Sequence, residues 1–280
     1  MIKSILVCLD GSPHSDAACD LALHLTSKLQ ARLLGLHVLD SRMLEGPLMA
    51  DLSGWVGAQP YGAQLQQFRT LMEQKGQAVV RAFDDRCTKA GLQAESWLKM
   101  GHPARVILEE ETRAELVVMG QRGEHADWMG DLMGSTVERV IRHSIKPCLV
   151  VPDRFKPFTR ILAAYDGSLH ASQALREAAE LAVALDLEIV VLTVAESGDK
   201  EKAAAVSKDA MALVGAHGAR ARAQIGHGRS AATILECAQQ EQCDLIVVGA
   251  YGHSRVREMI LGSTTTTLVT LSRLPVMLVR

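Results

Sequence analysis

Short apolar runs alternate with segments of helical periodicity along the chain. The runs are apolar at nearly every position, and they cover Ile5–Leu9, Leu33–Leu39, Leu116–Met119 and Cys148–Val151. Runs of this kind predict strands that are buried on both faces of a parallel sheet. Ala94–Met100 and Ala219–Ile225 instead alternate apolar and polar residues, which predicts half-exposed edge strands.

The segments between these runs carry apolar residues at helical spacing, as in SDAACDLALHLTSKLQ, which begins at Ser15. Ser12 and Pro13 precede it, and this pair predicts a helix that starts with a serine N-cap and a proline at its first position. Strands separated by helices of this length imply right-handed crossovers. The fold class is therefore α/β, with doubly wound parallel sheets.

One domain-sized unit occurs twice. The segment from Ile5 aligns without a gap to the segment from Ile161, and Asp10-Gly11-Ser12 falls on Asp166-Gly167-Ser168. We therefore predict two tandem Rossmann-like domains of five strands each, at residues 1–153 and 158–280. The first has an insertion at about residues 40–68, which its glycines and prolines indicate is a surface loop running into a helix near Gln64.

The composition narrows the classes of partner and location. Hydrophobic residues make up 48% of the 280 residues, charged residues 22%, and the net charge is −2. This balance favours neither a nucleic-acid nor a membrane partner. No apolar stretch is long enough to span a bilayer, so we expect a cytoplasmic protein. The six cysteines form no CxxC pair, which indicates a structural role and no metal site.

Two features of each copy are predicted to meet at one edge of its sheet. An aspartate closes the first strand (Asp10, Asp166), and a glycine closes the fourth strand (Gly120, Gly249). Ligands of open parallel sheets bind beyond the carboxyl ends of the strands, where the strand order reverses. The alternative for each aspartate is an Asp-Gly-Ser turn stabilised by the following helix dipole, and both roles can hold together.

In the second copy, a glycine pattern follows the fourth strand. Gly249 is followed by Gly252 and then, after nine residues, by Gly262 with Ser263 and Thr264. Glycine admits close approach of the backbone, and a helix start with two hydroxyls suits phosphate oxygens. The pattern predicts a phosphate or nucleotide site, with ordinary turn chemistry as the alternative. Arg255 and Arg257, inside the spacer, could reach a phosphate or lie in solvent.

The first copy repeats the pattern with one extra residue. Gly120 and Gly123 keep the first spacing, but ten residues precede Gly134, Ser135 and Thr136. An extra loop residue costs little free energy, so binding can survive. Trp128 lies within the longer spacer and could fold over the site. The second copy is therefore the better candidate.

At these residues the chain resembles the universal stress protein family in its tandem two-domain form. The resemblance implies ATP, ADP or AMP between the first and fourth strands, with the backbones of Val38 and Val194 near the adenine. It leaves open whether Mg²⁺ accompanies the phosphates. It also implies that the halves pair through their last strands as an internal pseudo-dimer, with a homodimer of the whole chain and an unidentified protein partner as open questions.

The resemblance favours a nucleotide-binding stress-response regulator with at most slow ATP hydrolysis. No P-loop G-x-x-x-x-G-K-[ST] occurs, and no residue is an obvious catalytic base, so no catalytic residue is predicted. One alternative is an interaction module that has lost nucleotide binding. The other is an ATP-pyrophosphatase-type enzyme, which would need an S-G-G-x-D-S loop where the second copy reads YDGSLHAS.

Overall fold

Ten strands form one continuous sheet. The protein is described from a computed structural model, which covers residues 2–45, 58–123, 133–195, 199–250 and 261–280. The elements of the first half are β1 (Ser4–Leu9), α1 (Pro13–Leu29), β2 (Arg32–Asp40), α2 (Arg42–Glu45), α3 (Ala58–Lys89), β3 (Ala94–Gly101), α4 (Pro103–Glu110), β4 (Leu116–Gly120), α5 (Ser135–His143) and β5 (Cys148–Val151). Those of the second half are β6 (Arg160–Ala164), α6 (Leu169–Leu185), β7 (Glu188–Ala195), α7 (Lys200–Ala216), β8 (Arg220–His227), α8 (Ser230–Gln240), β9 (Leu245–Gly249), α9 (Ser263–Leu271) and β10 (Val276–Val279).

The strand order is β3-β2-β1-β4-β5-β10-β9-β6-β7-β8, so each half repeats one arrangement. Neighbouring strands are parallel within each half. The halves join where β5 pairs antiparallel with β10, with Leu149 opposite Met277. This confirms the doubly wound α/β fold of two five-stranded halves and their pairing through the last strands. It also confirms that β3 and β8 are the edge strands.

Helices cover both faces of the sheet, as a doubly wound fold requires. The core on one face includes residues of α1, α3, α6 and α7, and the core on the other includes residues of α4, α5, α8 and α9. Each core continues across both halves, because it contains side chains from each of them. Ile5 and Leu6 of β1 are fully buried on opposite faces, which explains why the strand is apolar throughout.

Helices α1 and α6 begin as the sequence predicts. The Ser12 hydroxyl accepts a hydrogen bond from the Ser15 amide at 3.1 Å, and the Ser168 hydroxyl accepts one from the Ala171 amide at 3.2 Å. These bonds satisfy amides that have no partner within the helix. The preceding glycines, Gly11 and Gly167, have φ of 79° and 82°, a conformation that other residues rarely adopt. Both Asp-Gly-Ser turns therefore depend on their glycine.

The insertion of the first half is more helical than predicted. Helix α3 spans 32 residues and begins at Ala58, whereas the sequence indicated a helix near Gln64. The proline that suggested a loop, Pro60, lies in the first turn of the helix. Backbone amides there have no partner within the helix, so a residue without one is tolerated. Residues 46–57 lie outside the described part of the chain.

Aromatic residues attach the segment between the halves to the core. Phe158 is only 6% exposed, and its ring meets Phe155 edge-on at a centroid distance of 5.8 Å. Phe155 also contacts the ring of His24 in α1 at 5.5 Å. The connection between β5 and β6 is therefore packed against α1, and it limits the freedom of the halves to separate.

We expect the buried cysteines to resist thiol reagents in the folded protein. Burial raises the pKa of Cys19, Cys148 and Cys243 to about 12 and that of Cys87 to about 11. These thiols stay protonated at pH 8, and the thiolate is the reactive form. Reaction with dithionitrobenzoate should be about hundredfold slower or more than for a free thiol, and all six cysteines should react at once in guanidinium. Rapid reaction of these four in the native protein would contradict the assignment.

Candidate functional site at the carboxyl edge of the sheet

The predicted site residues lie where the strand order reverses. In the first half the chain passes from β1 outward to β2 and β3 and then returns to β4 on the other side of β1. Asp10 follows β1 and Gly120 ends β4, so both lie at the carboxyl edge of this switch point. Asp166 and Gly249 occupy the equivalent places after β6 and in β9. Crevices of this kind are where open α/β sheets bind ligands.

The carboxylate of Asp10 faces both its own turn and the glycine loop. Its Oδ1 accepts a hydrogen bond from the Ser12 amide at 2.9 Å, and its own amide donates to the Ser15 hydroxyl at 3.0 Å. A Cβ added at Gly123 would lie 3.1 Å from the Oδ2 of Asp10. The structure thus brings Asp10 and Gly123 together. In the second half, Asp166 Oδ1 accepts from the Ser168 amide at 2.9 Å in the same turn.

Gly120 and Gly249 are explained by packing inside the protein. A Cβ at Gly120 would lie 2.8 Å from the carbonyl carbon of His14, and one at Gly249 would lie 2.9 Å from the amide of Ala171. Each strand therefore ends against the first turn of α1 or α6, closer than any side chain permits. Neither glycine has a positive φ. Close backbone approach, and not an unusual φ, is therefore what requires glycine at these two positions.

Gly134 and Gly262 differ from these two, because nothing described around them requires glycine. They are the N-caps of α5 and α9, with φ of −59° in both and ψ of 133° and 144°. Among the described atoms, the nearest neighbours of an added Cβ would lie 3.6 Å away at Gly134 and 3.7 Å at Gly262. Within the described residues, neither helix has a side-chain cap bond. In contrast to α1 and α6, the first amides of α5 and α9 therefore have no side-chain acceptor from the N-cap residue itself.

The remaining predicted residues lie around these helix starts. Ser135 and Ser263 are exposed in the first turns of α5 and α9, and Thr136 and Thr264 are half-buried beside them. Gly252 lies outside the described ranges, as do Arg255, Arg257 and Trp128, so the structure tests none of these four.

Val38 and Val194 lie just past the parts of β2 and β7 that pair with β1 and β6, while on the other side they still pair with β3 and β8. The pairing of β1 with β2 ends at Leu9 opposite His37, one residue before Val38. The pairing of β6 with β7 ends at Ala164 opposite Leu192, two residues before Val194. On this side, β2 and β7 extend beyond the central strand, and both valines are half-buried. Contact of their backbones with adenine stays a prediction.

One titratable side chain in contact with this edge belongs to the first turn of α1. Burial lowers the pKa of His14, while the charge of Asp153 acts in the opposite direction and that of Arg122 adds to the decrease. A lowered pKa keeps the imidazole neutral at pH 7. His14 thus adds no positive charge beside Gly120.

Gln121 connects the first-half glycine loop to the second half. Its side-chain amide is 6% exposed and donates to the carbonyl oxygens of Val269 at 2.5 Å, Thr270 at 3.3 Å and Ser272 at 3.2 Å. These carbonyls lie at the carboxyl end of α9, where helix carbonyls have no partner within the helix. The residue after Gly249 is Ala250, whose side chain has no amide to donate. The two halves are therefore unequal at this position.

Replacement of Gln121 by alanine, the residue of the second half, is expected to destabilise the protein by about 1–3 kcal/mol, because it removes the donor shared by buried carbonyls. Urea denaturation followed by circular dichroism measures this change. Gln240→Ala, in which an exposed glutamine of α8 is shortened in the same way, should change stability by less than about 0.5 kcal/mol. Equal effects of the two substitutions would contradict the role of Gln121.

A cavity of about 450 Å³ adjoins the start of α5, and we name it the basic groove. Three arginines and two histidines line it: Arg42, Arg105, Arg139, His102 and His143. Glu109 is its one acidic side chain among the described lining residues, and the hydroxyl residues Ser135 and Thr136 lie at one end. The sequence analysis missed this groove. Its only signal was that Arg139 and His143 align with Thr267 and Leu271 in the second copy.

Two Rossmann-like halves, each with an aspartate and a glycine loop at its carboxyl edge, define a tandem α/β protein with a duplicated candidate site. The model of the universal stress protein family matches residues 1–152 and again residues 157–280. The chain belongs to the universal stress protein family. No helix in the described ranges is long and apolar enough to cross a membrane.

Known relatives share this tandem arrangement or half of it. The chain is 29% identical over 290 positions to universal stress protein Slr1230 of Synechocystis sp., covering 100% of each. It is 36% identical over 138 residues to a universal stress protein of Thermus aquaticus, covering 44% of this chain and 99% of that protein. The crystal structure of a universal stress protein from Archaeoglobus fulgidus superposes with a TM-score of 0.76, at 24% identity, covering 99% of this chain and 96% of that chain. The last comparison supports the fold alone.

Proposed function

We propose that this chain binds adenine nucleotides, namely ATP or its products ADP and AMP, at one site in each half. It would act as a cytoplasmic stress-response regulator with at most slow ATP hydrolysis. The observation that carries the proposal is the pair of helix starts at Gly134 and Gly262. Free amides at a helix start bind anions, and glycine lets a phosphate approach them. Serine would cap each helix better by about 1 kcal/mol or less, so the fold alone does not favour glycine there.

The residues around these helix starts fit a nucleotide. In the first half, Asp10 Oδ1 is held by the turn, while Oδ2 faces the glycine loop at Gly123 and would be available to a ribose hydroxyl. Ser135 and Thr136, and in the second half Ser263 and Thr264, would add hydroxyl donors to the phosphates. Val38 and Val194 would offer backbone groups to the base beyond the end of β1 and β6 pairing. Mg²⁺ would enter with the phosphates.

The purified protein tests the proposal directly. We expect adenine nucleotide in the supernatant after denaturation, and binding of added ATP by calorimetry to protein freed of nucleotide. At a ligand concentration of about 100 times Kd, binding should stabilise the fold by about 2.7 kcal/mol. ATP that neither co-purifies, nor binds, nor raises the melting temperature would refute the proposal and leave an interaction module. Rapid multi-turnover release of pyrophosphate with an acceptor would instead identify an enzyme.

A further inference from the structure

The basic groove begins at Ser135 and Thr136 of the proposed nucleotide site and continues beyond them to residues that this site does not use. It lies between α4 and α5, which pack against each other on one face of the sheet. None of the turn and loop residues Asp10, Gly120, Gly123 and Gly134 lines it. From Ser135 at its mouth to His143 it follows α5 for about 12 Å, since each helical residue rises 1.5 Å. A volume of about 450 Å³ is in the range of small-molecule sites.

The charge of the groove points to an anion. The chain as a whole has a net charge of −2 with its histidines counted as neutral, yet the described lining has three arginines against one glutamate. Arg42 and Arg105 already have carboxylate partners, since Arg42 Nε lies 2.8 Å from Asp40 Oδ1 and Arg105 Nε lies 2.9 Å from Glu109 Oε1. Arg139 is exposed and forms no ion pair with any side chain in the described ranges. Its guanidinium can therefore bind a ligand without first breaking an ion pair there.

The second half has no equivalent charge. The positions of Arg139 and His143, counted from the N-caps Gly134 and Gly262, are occupied by Thr267 and the 56%-exposed Leu271. Both helices fold and bury the same face with these different residues. Arg139 and His143 are thus not required by the helix or by the core, and the two halves differ in charge at this surface.

We propose that the basic groove binds an oligophosphate chain, with Arg139 and His143 as its principal ligands and Arg105 as a third. Arginine donates several hydrogen bonds to phosphate oxygens, and Arg105 and Arg139 both line the groove. The Nδ1 of His143 lies 2.9 Å from the backbone oxygen of Arg139, so Nε2 is the ring nitrogen left to face the ligand. The hydroxyls of Ser135 and Thr136 would bind the end nearest the glycine loop. The bound oligophosphate is either a free inorganic molecule or the phosphate tail of a nucleotide held in the first half. A free oligophosphate goes beyond the proposed function because it needs no adenine site, whereas the nucleotide tail rests on the proposed function.

Calorimetry on the full chain with inorganic tripolyphosphate tests this inference. Arg139→Thr/His143→Leu introduces the residues of the second half, and it should weaken tripolyphosphate binding by at least about tenfold. Arg81→Thr removes one exposed arginine from α3, whose core contacts lie on the opposite face of the sheet, and it should leave binding unchanged. Glu109→Gln removes the acidic competitor for Arg105 and should strengthen binding. Binding by Glu109→Gln still tests the inference if the double variant folds poorly, which a lowered melting temperature would reveal.

Binding of adenosine tetraphosphate and ATP, compared with binding of tripolyphosphate, distinguishes a free oligophosphate from a nucleotide tail. If tripolyphosphate binds and the double variant loses it, the ligand is a free oligophosphate. If only the adenosine polyphosphates bind and the double variant weakens them, the ligand is a nucleotide tail. Binding of all three with affinities unchanged by the double variant and by Glu109→Gln, or binding of none, would overturn the inference. Loss of ATP binding with retained tripolyphosphate binding would refute only the nucleotide proposal.

Discussion

Gly262→Val is expected to abolish nucleotide binding in the second half while leaving the fold intact. The backbone at Gly262 has φ −59° and ψ 144°, which valine adopts without strain. The nearest described atom to an added Cβ is the hydroxyl oxygen of Thr265, at an ordinary contact distance of 3.7 Å. The side chain would instead cover the free amides at the start of α9. Loss of two charge-assisted hydrogen bonds corresponds to about 3 kcal/mol or more, which is roughly a hundredfold in affinity.

The stoichiometry of ATP binding by calorimetry measures this effect. Wild type should bind two nucleotides and Gly262→Val one. Gly134→Val is the matched variant in the first half. It should also bind one nucleotide, at the site in the second half. The thermal transition of each single variant should lie within a few degrees of wild type. Two nucleotides still bound by the variant that carries both Gly134→Val and Gly262→Val would show that these helix starts do not form the phosphate sites.

Local sequence signals were sufficient for most of the architecture. The interior strands are apolar on both faces, so the apolar pattern predicted their positions. The alternation in Ala94–Met100 predicted an edge strand, which β3 confirms. The Ser12-Pro13 pair predicted a helix start because an N-cap bond involves residues only three apart, Ser12 and Ser15. Duplication added a second test of each of these signals.

Interactions between distant residues could not be predicted in the same way. Gly120 needs to be glycine because the carbonyl carbon of His14 lies behind it, more than a hundred residues away in sequence. Gln121 bonds to Val269 across the two halves, and its alignment with Ala250 only showed that the halves differ. The basic groove combines residues near 42, 102–109 and 135–143, which no single window contains. The sequence therefore predicted which elements meet at this edge of the sheet better than it predicted the contacts of each residue there.

Two glycines of one motif, Gly249 and Gly262, have different surroundings. Gly249 belongs to the fold, because its Cβ would meet the backbone of α6. Gly262 is required by nothing in the described fold, and we propose that it belongs to the ligand. In a relative that has lost nucleotide binding, the glycine that the fold requires would therefore remain, and the glycine that faces the ligand could change. The interaction-module alternative would then retain Gly249 and no longer need Gly262.

Gly249→Val is accordingly expected to damage the fold itself. An added Cβ would lie 2.9 Å from the Ala171 amide nitrogen and 2.9 Å from the His170 carbonyl carbon, and neither backbone atom can move without displacing the first turn of α6. That turn includes the Ser168 cap, whose hydroxyl bond to Ala171 would be strained at the same time. We expect a loss of about 3 kcal/mol in the free energy of unfolding, the upper part of the range for overpacked positions.

Urea denaturation of Gly249→Val and Gly262→Val, two identical substitutions in one motif, provides the decisive comparison. The first should unfold at a clearly lower urea concentration whether or not ATP is present during the measurement. The second should match wild type without ATP and gain less stability than wild type when ATP is added, because ligand stabilises only through the sites that it occupies. Similar midpoints for the two variants without ATP would contradict the division into structural and ligand-facing glycines, since the close contact at Gly249 would then carry no energetic cost.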